Sequence, residues 1–200
     1  LQSEINPHFL LNTVNTIRFM ADLARFDSIR DMAADLMEIL RCMLRTPAER
    51  YTLADEAKIL EAYIHIMEVR YSGSFSFRCA FSPESLACRL PKLLLQPLVE
   101  NAIVHGLEPR RGLGSVAVRL WEETQNICVR IEDDGVGFDP ENLDLAREVE
   151  SAGQHNHIAL TNVLRRLHLL YGDRADLQIR SKPGQGTTVL LTLPLDQTKG

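Results

Sequence analysis

The chain has 200 residues, 45% hydrophobic and 24% charged, with 11 glycines and 9 prolines, which excludes a disordered, collagen-like or low-complexity polymer. With 22 basic and 27 acidic side chains the net charge is −5, which argues against general nucleic-acid affinity. No apolar run approaches the roughly 20 residues needed to span a bilayer, and no signal peptide is visible.

This length suits one large domain or two small ones. The cysteines (Cys42, Cys79, Cys88, Cys128) lack the paired spacing of a zinc site, and point to a reduced, cytosolic compartment. The chain opens on Leu1 and runs directly into a motif, so it reads as a piece of something longer.

The first seventy residues read as helices. Leu10, Val14, Ile17, Ala21 and Ala24 follow a helical seam, Asp27-Ser28 interrupts it, and Ile29, Met32, Leu36 and Met43 resume it. Two such helices bury too little alone, and dimerisation into a four-helix bundle would supply the missing partner. Thr46-Pro47-Ala48-Glu49 breaks the second helix. Thr52 and Asp55 then have capping-box spacing, and Leu53, Leu60, Ile64, Met67 and Tyr71 continue a third helix to Ser72-Gly73.

Beyond residue 73 alternating apolar positions predict strands over 74–81, 116–121, 127–132, 177–181 and 187–193, with helical runs over 91–104 and 158–171. The expected class is therefore α+β: a helical hairpin over 1–72, then an α/β sandwich over 73–200 with a mixed sheet and helices on one face. The sparse apolar pattern over 141–157 predicts a mobile segment.

Four motifs carry chemistry. A strand runs into Asp133-Asp134-Gly135-Val136-Gly137, which would deliver a carboxylate into a pocket beside close-approaching backbone. Alone, the string is equally compatible with a plain acidic turn. In Leu95-Gln96-Pro97-Leu98-Val99-Glu100-Asn101-Ala102-Ile103-Val104-His105-Gly106, Asn101 and His105 share a helix face, and an Asn oxygen suits Mg²⁺. Its alternative is an ordinary polar helix end closed by Gly106. Lys182-Pro183-Gly184-Gln185-Gly186-Thr187 reads as a hairpin turn. Asn6-Pro7-His8-Phe9-Leu10-Leu11-Asn12 presents an imidazole near a helix start, either structural or a phosphoryl acceptor.

In this order the four motifs resemble the sensor histidine kinases of two-component systems, of the LytS/YesM type, over essentially the whole chain. Asn6–Asn12 matches the phosphoacceptor motif, Leu95–Gly106 the N-box, Asp133-x-Gly135-x-Gly137 the G1 box, and Gly184-x-Gly186-Thr187 the closing strand motif. Residues 160–172 are similar to the helix after the ATP lid, and Tyr63, Glu68 and Arg70 of the third helix also fit the family.

The resemblance implies a Bergerat-type ATP-binding domain and ATP and Mg²⁺ as cofactors. It implies that Asp133 accepts from the adenine amino group, with Gly135 and Gly137 beside it and Thr187 supporting it through water. It also implies that Asn101 coordinates Mg²⁺, with Glu100 and His105 close to the phosphates and Asn162 in the helix after the lid. His8 would take the γ-phosphoryl group and pass it to the receiver domain of a response regulator. Glu4 or Asn12 would orient the imidazole. The expected setting is a homodimer in the cytoplasmic part of a bacterial membrane protein.

Three departures from the family pattern stand out. His157 and Ala159 replace the lid glycines, leaving Gly153 as the lid region's glycine; Val104 replaces a basic residue; and Phe9 follows the acceptor histidine. They keep an alternative open, a nucleotide-binding pseudokinase acting as a dimeric scaffold. A gyrase-like ATPase is disfavoured, because Pro97 holds the position of its water-activating Glu. Arg110-Arg111 is either a solvated pair or a contact for phosphate or the partner domain.

Overall fold

The computed structural model describes residues 7–44, 51–111, 113–139 and 158–195. Glu4, Asn6 and the whole 141–157 segment, with Gly153 and His157, lie outside them, as do the side chains of His8, Ala159 and Thr161.

Helices α1 (Pro7–Leu23) and α2 (Asp27–Leu44) form the predicted hairpin. The reversal comes earlier than the seam suggested: Arg25 takes a left-handed φ of 58°, the Phe26 N–H closes on the Ala21 carbonyl, and Asp27 already opens α2. An acid there complements the positive end of the helix dipole. The hairpin's own core is small, with Val14, Ala33 and Met37 buried and Leu40 packed against them. Ile17, Phe19, Met20, Leu23, Phe26 and Ile29 stay exposed, Leu23 at 70%.

Helix α3 (Leu53–Arg70) begins with the predicted capping box: Asp55 N–H donates to Thr52 Oγ1 at 3.4 Å, and Thr52 N–H donates to Asp55 Oδ2 at 3.0 Å. It ends where Ser72 and Gly73 turn left-handed and the Gly73 N–H bonds the Glu68 carbonyl at 2.8 Å. Its buried residues, among them Leu53, Ile59, Leu60 and Tyr63, join the same core as the sheet.

The sheet has order β1-β2-β3-β5-β4, from β1 (Phe75–Phe81), β2 (Gly114–Glu123), β3 (Asn126–Asp133), β4 (Asp176–Ser181) and β5 (Thr187–Pro194). β1 pairs parallel to β2 and the other pairs are antiparallel, so the sheet is mixed as expected. Val116, Val118, Val129, Ile131, Leu191 and Leu193 point to one side, where α3, α4 (Gln96–Asn101) and α5 (Ile158–Tyr171) cover them. The other face is open: Arg119 stands directly opposite Arg130, and both are exposed.

The 91–104 run differs from expectation. Leu93 is left-handed at φ 54°, which delays the helix to Gln96; after Asn101 the chain widens into a π-helical stretch, Ala102–Leu107, before a 3₁₀ turn at Glu108–Arg110. Single π turns inside helices concentrate at functional sites.

Leu191 lies fully buried on the interior strand β5. Leu191→Ala is expected to lower stability by about 2–5 kcal/mol through lost burial and a residual cavity. Urea unfolding measures it, and a midpoint equal to the wild type would contradict the packing described.

Candidate functional site

A pocket partly open to solvent lies between sheet and helices. Its floor is Ile131 and Asp133 of β3 with Thr187 and Val189 of β5. One wall is Leu98, Asn101, Ala102, His105 and Gly106, and the rest is Gly137, Phe138 and Leu160. Most of these are apolar, with Asp133, Asn101, His105 and Thr187 as the polar points.

Asp133 closes β3, and burial pushes its carboxyl pKa up to about 6. Hydrogen bonds from Gly135 N–H, at 2.9 Å, and from Thr187 oppose that shift, and the neighbouring Asp134 charge adds to it. Thr187 faces Asp133 in register. The result is a half-buried acceptor suited to a ligand N–H donor.

Close backbone contact explains the glycines. A Cβ on Gly106 would stand 2.7 Å from Asp133 Oδ1; one on Gly186 (φ 81°) would stand 2.0 Å from the Asp133 carbonyl. Gly106 thus makes room for the carboxylate rather than closing a helix. Gly135 packs on Gly106, where a Cβ would lie 2.3 Å from the Gly106 carbonyl oxygen, and stands behind the pocket rather than in its lining. Gly137 (φ 58°) does line it, and a Cβ there would run into the Lys182 carbonyl.

The loop is tied on three sides. Val136 N–H bonds the Gly106 carbonyl at 2.9 Å, and Phe138 N–H bonds Ser181 Oγ at 2.9 Å. Ser115 donates from its N–H and its hydroxyl to the Asp134 carboxylate at 2.7 and 2.8 Å. Arg110 donates to the Asp134 carbonyl, so one member of the basic pair holds the loop.

Asn101 lines the pocket, and its Nδ2 is buried with no hydrogen-bond partner among the described residues. A half-turn of the amide presents its oxygen instead. An orphaned amide is costly unless a ligand completes it. It fits a hard cation that takes a single protein oxygen and otherwise binds phosphate and water, as Mg²⁺ does. No group of three His, Cys, Asp or Glu side chains converges among the described residues, so the donor set suits such an ion and not a caged one.

The other expected residues fall elsewhere. Glu100 is outside the lining, and its charge, after burial, raises the pKa of the Tyr63 phenol. Asn162 is exposed on α5, two residues beyond the lining Leu160. His8 lies in the first turn of α1, and Asn12 is exposed one turn further on. The sequence reading missed Ser115, Ser181 and the buried Glu56. Of these only Glu56 left a sequence signal, a carboxylate set between Leu53 and Leu60 on an apolar helix seam.

Residues 1–75 match the histidine kinase family, and residues 89–197 match the histidine kinase-, DNA gyrase B- and HSP90-like ATPase family. The chain belongs to the histidine kinases. This histidine kinase is 33% identical to the sensor histidine kinase YesM of Bacillus subtilis, over 97% of this chain and 32% of YesM. It is 34% identical to the sensor histidine kinase YpdA of Escherichia coli, over 99% of this chain and 34% of YpdA. The chain thus spans about a third of the length of these relatives. The histidine kinase domain of the Erythrobacter litoralis EL346 blue-light activated histidine kinase shares the fold at a TM-score of 0.56 and 22% identity, covering 92% of this chain and 87% of that one. No helix among the described residues is long and apolar enough to cross a membrane.

A site that needs Asp133 ionised loses affinity on protonation. With a carboxyl pKa of about 6, nucleotide affinity should hold above that pH and fall by up to about tenfold per unit below it. The same shift makes folding stability fall as pH rises from the ordinary Asp value to about 6 and level off above it, because the folded state holds the proton more tightly. Calorimetric titration at several pH values, with Asp133→Asn as a weak and pH-flat control, measures the first effect. A wild type with flat affinity through this window would refute the assignment.

Proposed function

We propose that this histidine kinase segment binds Mg²⁺ and ATP in the pocket, phosphorylates His8, and passes the phosphoryl group to an aspartate in a response regulator receiver domain. One observation carries the reading: Asn101, His105, Asp133, Gly137 and Thr187 belong to three separate motifs yet line one pocket. The family match and the His8 motif supply the acceptor side.

Asp133 accepts the adenine amino proton while Thr187 and Gly135 N–H hold its carboxylate. Gly137 lets the backbone lie against the base. Asn101 and His105 face the phosphates, with Asn101 holding the metal. Magnesium bound there would neutralise charge on the phosphate oxygens. Glu100, next to Asn101 at the end of α4, works close to the phosphates. Asn12, one turn beyond His8, orients the imidazole, and Asn162 belongs to the helix that closes over the phosphates.

A neutral ring nitrogen of His8 forms the P–N bond with its lone pair. The bond from the γ-phosphorus to the β,γ-bridging oxygen breaks, and ADP leaves with that electron pair. The proton on the other ring nitrogen passes to solvent. Catalysis here is positioning and charge neutralisation.

The hairpin's exposed row from Ile17 to Ile29 is the proposed homodimer seam, completing a four-helix bundle. Dimer formation is expected in light scattering, with Leu23→Glu moving the population to monomer. A wild type that stays monomeric at high concentration would argue against the seam. The segment is placed on the cytoplasmic side of a membrane-bound sensor. The sequence division near Gly73 separates acceptor and catalytic parts, although α3 packs with the catalytic side.

Incubation with Mg²⁺ and γ-labelled ATP should give an acid-labile, alkali-stable label that His8→Gln abolishes. Nucleotide binding without label would favour the scaffold alternative, which the lid substitutions His157 and Ala159 keep in view.

A further inference from the structure

Three polar side chains stand two helical turns apart on one face of α3: Glu56, Tyr63 and Arg70. Each meets the segment that carries Asn101. Glu56, fully buried, accepts from Leu95 N–H at 2.7 Å and Gln96 N–H at 3.2 Å. Tyr63 has a buried hydroxyl, with Glu100 the strongest charge acting on it. Arg70 donates to Glu108 at 3.1 Å. As α3 advances from 56 to 70, its contacts advance from 95 to 108, so the two segments run parallel and in step.

The first contact is the tightest. Leu95, at the N-cap of α4, offers no side-chain acceptor, so the opening N–H groups depend on Glu56 from 39 residues upstream. A carboxylate at that end also meets the positive pole of the helix. The Tyr51 hydroxyl donates to its second oxygen at 2.5 Å. A buried carboxylate lacking such donors would be strongly destabilising.

We propose that Glu56 is a positioning residue of the nucleotide site: by holding the start of α4 against α3 it fixes where Asn101 and His105 stand in the pocket. The inference rests on the pocket being the ATP site. It distinguishes two ends of that site. Asp133 and Thr187 belong to the sheet, whereas Asn101 belongs to the segment Glu56 holds. Loss of Glu56 therefore disturbs the phosphate end first.

The test compares wild type, Glu56→Ala and Glu56→Gln in the full 200-residue chain, well below their unfolding temperatures. Mg-ATP binding is read by calorimetry and adenosine binding by NMR titration. Met37→Ala, in the hairpin's separate core, serves as a control for lowered stability alone. Glu56→Ala should weaken Mg-ATP about tenfold or more while adenosine changes less than about threefold. Glu56→Gln keeps an acceptor oxygen for Leu95 and Gln96, and should restore Mg-ATP affinity to within about threefold of wild type. Unchanged Mg-ATP affinity in Glu56→Ala would overturn the proposal and leave Glu56 a stability residue. Equal weakening of both ligands would overturn it too, as general loosening. A wild type that binds neither ligand would overturn the ATP-site reading itself, and this proposal with it.

Discussion

A half-buried carboxylate kept able to accept a hydrogen bond is the constraint that organises this catalytic half. Asp133 is crowded by backbone on several sides: Gly106 below its carboxylate, Gly186 against its carbonyl, and Gly135 pressed onto Gly106. Desolvation favours the neutral acid, while the bonds from Gly135 and Thr187 favour the anion. That balance requires β3, β5, the π-helical stretch and the 181–187 turn to meet within backbone contact distance, which fixes much of the local geometry.

Gly106, Gly135 and Gly186 are therefore better understood as permitting protein-to-protein approach than protein-to-ligand approach. The string Asp133-x-Gly135-x-Gly137 was legible in the sequence, and so was its neighbourhood of Asn101, His105 and Thr187. Which glycine touches what was not. The same three-residue pattern places Gly137 in the pocket lining and Gly135 behind it. Only the tertiary meeting of distant elements decides that.

The helices and strands were legible because their apolar periods are clean, and α3 even declared its start through Thr52 and Asp55. The errors fall where side-chain period says nothing about backbone. Leu93 adopts a left-handed conformation without a glycine to announce it, and the widening after Asn101 leaves no mark in an ordinary apolar run. The early hairpin turn at Arg25 is the same kind of miss. Glu56 differs, since a charged residue on a buried seam is visible in one dimension, but its partners 39 residues later are not.

The alignment of α3 with the segment from Leu95 to Glu108 has a consequence for chain length. Each residue added to a helix turns everything beyond it by about 100°. Between Glu56 and Arg70 a single insertion would carry Tyr63 or Arg70 to another side of α3, away from Glu100 and Glu108. This stretch is a phased part that does not tolerate changes in count. The start of α3 is locked as well, by the Tyr51 hydroxyl on Glu56 and by the Thr52–Asp55 capping box, so the count is fixed from Tyr51 onward.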